Sequence, residues 1–97
     1  MVRFLSLFNF TDQGARKFSE TAERADAFQK LAQKVGATVK ALYWTVGSYD
    51  GAVVLEAPDE QTAISLLAKL ASLGNVRTHS MRALDRSEME PILAKAR

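Results

Sequence analysis

The spacing of apolar positions changes along the chain, and each change marks an element. Residues Arg3 to Phe10, "RFLSLFNF", form a short apolar run closed by the polar cluster Thr11-Asp12-Gln13-Gly14, a length that suits a strand. By parity Phe4, Phe8 and Phe10 share one face of that strand and Leu5 and Leu7 the other, so both faces need cover. From Ser19 to Val35 the apolar residues Ala25, Phe28, Leu31, Ala32 and Val35 recur at helical spacing, with Glu20 and Glu23 near the positive start and Gly36 as the stop. "TDQGARKF" ahead of it reads as a separate short helical turn, capped by Thr11 or Asp12 and weakened by Gly14.

Thr38 to Val46 and Ala52 to Ala57 are β-branched and aromatic, and "GSYD" between them predicts a hairpin. Pro58 ends the second strand and Asp59 caps a helix running to Leu73, whose apolar residues cover more than half its circumference. Gly74 stops it, and Val76 to Leu84 is the last strand. In the tail, Ser87 to Glu90 has capping-box spacing, but Pro91 would then cost a helix hydrogen bond, so the terminal helix is expected to start at Pro91. The order β-α-β-β-α-β predicts an α+β, ferredoxin-like domain spanning 1–97: an antiparallel four-stranded sheet, two helices on one face and a short C-terminal helix. The second face is left open, which predicts a homodimer or a larger oligomer.

Composition narrows the function classes. Ninety-seven residues bury only part of their apolar surface as a single chain, which again favours a second copy. The net charge of +2, from 13 basic and 11 acidic residues scattered along the chain, is too weak for a nucleic-acid footprint, so none is expected as a partner. The absence of cysteine excludes disulfides and thiolate chemistry, and the lone histidine excludes a multi-histidine metal site within one chain. The N-terminal apolar run is too short to span a bilayer and no cleavage signal follows it, so the expectation is a cytoplasmic protein with no membrane contact.

Four stretches together resemble the GYD domain family of small bacterial proteins: "SLFNFTDQG", "YWTVGSYD", "VLEAPDE" and "LGNVRT". The resemblance covers nearly the whole chain and implies the dimeric α/β-barrel type of assembly, but no particular reaction. Pro91 departs from the pattern, where uninterrupted helix formers are expected. A fainter likeness, in the Gly-x-Tyr-Asp hairpin and the Gly-Asn-Val before the last strand, is to the effector-binding domain of the leucine-responsive regulator family. Those domains bind amino acids at subunit interfaces.

Within the turn, Gly47 can take positive φ, Asp50 can accept from turn amides and Tyr49 can shield the hairpin end, so a structural reading comes before a catalytic or ligand-binding one. Arg77 and His79 share one face of the last strand; together they can hold an anion, or they can be ordinary edge residues. Tyr43 and Trp44 are consecutive on a strand and point to opposite faces, so either can wall a cavity or pack in the core, but not both in one aromatic box. Ser6, Asn9 and Thr45 are small polar residues that could line the same cavity. No catalytic residue, cofactor or metal site is identified. The leading expectation is a small metabolite bound in a barrel or subunit-interface cavity. The alternatives are a cofactor-independent or haem-dependent enzyme of the dimeric α/β-barrel type, and a structural oligomer without ligand.

Overall fold

The computed structural model describes residues 1–97, and its elements follow the predicted order. Strands β1 (Val2–Phe10), β2 (Thr38–Trp44), β3 (Gly51–Ala57) and β4 (Val76–Arg82) form one antiparallel sheet in the order β2-β3-β1-β4. This is the ferredoxin-like arrangement, with β1 and β3 central and β2 and β4 at the edges. A short helix α1 (Asp12–Arg16) and a 3₁₀ turn (Phe18–Glu20) lead into α2 (Thr21–Lys34); α3 (Glu60–Ser72) joins β3 to β4, and α4 (Arg86–Ala96) ends the chain.

The parity of β1 decides where the core sits. Phe4 and Phe8, with Val53 and Leu55 of β3, are buried against Phe28 and Ala32 of α2 and Ala63 and Leu66 of α3. Alanine at the helix positions nearest the sheet brings backbone close to backbone, and Leu55 at the centre is only 1% exposed. The helices stop where glycine allows: Gly36 and Gly74 have φ of 79° and 81°, the left-handed conformation that closes a helix at little cost. Asp59 caps α3 by accepting from the Thr62 amide at 2.8 Å.

Several boundaries differ from expectation. The first long helix begins at Thr21 and not Ser19, because the preceding residues tighten into the 3₁₀ turn and the Arg24 guanidinium bonds back to the Lys17 carbonyl at 2.9 Å. β2 ends at Trp44 and β4 at Arg82, each two residues early. The largest correction is α4, which starts at Arg86, five residues ahead of Pro91. Its capping box is Asp85 with Glu88, not Ser87 with Glu90: Asp85 accepts from the Glu88 amide and Glu88 accepts from the Asp85 amide, both at 2.9 Å. Pro91 then falls inside the helix, where its missing N–H leaves one carbonyl of an exposed turn to water.

Candidate functional site

The register of the sheet lays out its open face row by row. Tyr43, Ala52, Leu7 and His79 stand opposite one another across all four strands, and Ala41, Val54, Leu5 and Met81 form the next row. Beyond the first row lie Asn9 and Arg77; beyond the second lie Thr38, Glu56 and Arg3. The face is therefore graded, with an uncharged polar and cationic end, an apolar middle and an ion-paired end. No helix packs over its middle: the half-buried side chains there are shielded only by their strand neighbours, and Tyr43 and Met81 are 63% and 44% exposed.

This layout separates the sequence candidates. Asn9, Arg77 and His79 fall together at one end, with the Tyr49 ring set edge-on to the His79 ring at 5.6 Å. Tyr43 shares the row of His79 but lies three strands away, roughly 14 Å at about 4.8 Å per strand. Ser6 and Trp44 lie on the opposite, helix-covered face. Ser6 is 1% exposed and shares a 2.8 Å hydrogen bond with Ser80, which satisfies it within the core. The Trp44 indole N–H donates to the Thr21 hydroxyl at 3.0 Å, and the ring walls a crevice of about 190 Å³ between α2 and the sheet, beside Phe8, Phe28 and Leu42. That volume is below the ~300 Å³ at which small-molecule pockets usually begin. No cluster of three or more His, Asp or Glu side chains is placed to hold a metal.

The hairpin turn is joined to the neighbouring strand. The Asp50 amide donates to the Phe8 carbonyl at 2.8 Å, and the Asp50 carboxylate accepts from the Phe10 amide at 2.8 Å. The Thr45 amide donates to the Asp50 carbonyl at 2.9 Å, and Gly47 takes φ of 154° in open space. Asp50→Ala is accordingly expected to cost about 1–3 kcal/mol by leaving the Phe10 amide unpaired, whereas Asp50→Asn keeps an acceptor and costs less than ~1 kcal/mol. Chemical denaturation checks this: equal midpoints for the two variants would deny the carboxylate that bond.

A second junction ties the short helix to the loop before β4. The Thr11 amide donates to the Asn75 carbonyl at 3.1 Å and the Thr11 hydroxyl to the Gly74 carbonyl at 2.6 Å, while Gln13 donates to Asn75 Oδ1 at 2.9 Å. Two separated stretches of sequence, "FTDQG" and "LGN", are thus one structural unit.

Sequence reasoning missed the ion-paired end of the open face. Arg3 donates from Nε to Glu56 at 3.1 Å and from Nη1 to Glu88 at 2.9 Å, with Asp85 at 3.8 Å from Nη2. These bonds, to Glu88 first and then Glu56, raise the Arg3 pKa further. The Glu88 amide, helped by the Ser87 hydroxyl, holds the Asp85 carboxyl below its ordinary 3.8. A depressed carboxylate stabilises the folded form fully above that ordinary value, and the contribution is lost as pH falls through the lower folded value. The α4 cap is therefore intact at neutral pH. Glu56 and Glu88 lie 53 and 85 positions from Arg3, so only the strand register could have revealed the cluster.

With the geometry in place, comparison with known proteins adds three findings. The family model for the GYD domain matches residues 4–93. A Thermus thermophilus relative named "Glutamine synthetase and cystathionine beta-lyase binding protein" is 35% identical over 85 residues, covering 87% of this chain and 90% of its own. A crystal structure from Thermus thermophilus, that of TTHA0845, superposes with a TM-score of 0.54 at 17% identity, over 88% of this chain and 95% of the other, a likeness of fold alone.

Proposed function

The chain belongs to the GYD domain family, and from that premise we propose that it is an oligomeric binding protein that holds a small anionic metabolite between two copies closed on their open sheet faces. The observation that carries this reading is the unpaired guanidinium of Arg77 at the cationic end of that face. All five ion pairs in the chain run through Arg3, Arg82 or Arg86, so Arg77 keeps its guanidinium unpaired beside His79 and Asn9. An unpaired guanidinium offers a planar fork of donors that suits a carboxylate or phosphate, and bringing a second face over it would strengthen that attraction by excluding water. The apolar rows of Leu5, Leu7, Ala41, Ala52 and Val54 supply the contact that brings the second copy there.

Native mass spectrometry of freshly purified protein tests this: a dimer carrying a small-molecule increment is expected. Arg77→Ala should weaken retention by ~1.5–3 kcal/mol, the range for a hydrogen bond to a charged group, while leaving the dimer intact. A dimer with no bound mass at any ligand supply, or an increment unaffected by Arg77→Ala, would remove the anion site.

The Thermus relative favours a second reading, a protein partner, since that protein is named for binding two enzymes. Size-exclusion chromatography with purified glutamine synthetase and cystathionine beta-lyase separates the readings: a stoichiometric complex with either enzyme, formed equally by the Arg77→Ala variant, supports the protein partner.

A further inference from the structure

Helix α4 is held firmly at its start and, past the partly covered Met89, is exposed along the rest of its length. Its first turn carries a complete capping box and is tied by Arg3 to Glu56 on the open sheet face. Beyond that, none of its residues is buried, and Met89, Ile92, Leu93 and Ala96 line one side at helical spacing, with Ile92 46% and Leu93 50% exposed. A tail that merely frayed would not need two anchors. An arm with a fixed direction would.

The dimensions say how much surface awaits cover. The chain extends 50 Å along its longest axis and has a radius of gyration of 14.6 Å, against about 12.5 Å for a compact domain of this length. Its surface is 6419 Å², roughly 900 Å² more than the ~5,500 Å² of a compact monomer of 10.7 kDa. A standard interface buries about 800 Å² on each partner. The excess is therefore close to one side of one interface, in a chain that offers two uncovered apolar surfaces, the sheet face and the α4 stripe. The Arg3 junction makes these two surfaces continuous, since Arg3 stands on the sheet face and grips the helix.

From this we propose that α4 is an exchanged arm: its Met89–Ile92–Leu93–Ala96 stripe lies against a second copy of the same chain, and the Arg3 cluster aims it. The inference rests on the reading that the open faces meet, and adds the residues that secure the pair. In a two-fold pair each copy gives one helix and receives one, so the stripe is used twice. Because α4 touches little within its own chain, a change on the stripe weakens the pair and leaves the fold of each copy unaltered.

The test is sedimentation equilibrium of the full chain carrying Ile92→Glu and Leu93→Glu together. The expected result is a rise of at least about a hundredfold in the dimer dissociation constant, equivalent to ~2.8 kcal/mol at ~1.4 kcal/mol per decade, with far-ultraviolet circular dichroism still that of the folded protein. Glu90→Gln, on the same helix but off the stripe, should leave the constant within a fewfold. A dimer that survives the double change but is dissociated by Leu7→Glu overturns the arm and leaves the face-to-face pairing standing. An unmodified chain that is itself monomeric at micromolar concentration overturns both.

Discussion

Gly14→Ala should destabilise the protein by roughly 3 kcal/mol or more, although the residue lies in a helix where alanine would ordinarily gain about 1 kcal/mol over glycine. The sign reverses because a Cβ at Gly14 would stand 2.0 Å from the carbonyl oxygen of Asn75, and that oxygen cannot withdraw without losing the 3.1 Å bond it accepts from Thr11. Overpacking costs of 1–3 kcal/mol are usual where side chains can yield, and a fixed backbone group yields less. The comparison is Gly47→Ala: no atom lies within 4 Å of its Cβ position, so only the strain of φ at 154° remains, about 1 kcal/mol. Urea denaturation with an unchanged slope measures both. A Gly14→Ala midpoint equal to that of the unmodified chain would mean that the helix and the Asn75 loop do not meet as described.

The second large effect is expected at Leu7, in the apolar middle of the open face. In an isolated chain Leu7 is only half-buried, between Ala52 and His79, so a glutamate there could reach water and would cost little. In a closed pair the same carboxylate would be enclosed against a second sheet, and an unpaired buried charge costs several kcal/mol. Leu7→Glu should therefore abolish assembly while the separated chain remains folded. Loss of dimer with retained circular dichroism is the expected pair of results. An intact dimer would place this face on the outside.

The residues show why some of this was legible in the sequence. Alternation in "RFLSLFNF" is a local property, and it correctly separated Phe4 and Phe8 from Leu5 and Leu7; that the phenylalanine face is the one the helices cover emerges only from the packed fold. The same parity puts Ser6 with the phenylalanines, which removes it from the open face; its hydroxyl is explained by Ser80 across the strand pair and not by a ligand. Tyr43 and Trp44 had to diverge, but which one met the helices depended on the pairing of β2 with β3, shifted by an irregularity between Val39 and Ala41. The α4 boundary was missed because Ser87 and Asp85 both precede an acidic residue at the right interval. Arg3 decides between them by holding Glu88 and approaching Asp85, and such a contact is invisible until β1 and the chain end are brought together. Gly14 and Asn75 were missed for the same reason, being neighbours only in space.

The ligand site and the exchanged arm both depend on two copies meeting through the open face. Sedimentation equilibrium of the unmodified protein across the micromolar range tests that most directly. The account predicts a species of at least twice the 10.7 kDa chain mass throughout that range. A single species of 10.7 kDa would contradict it.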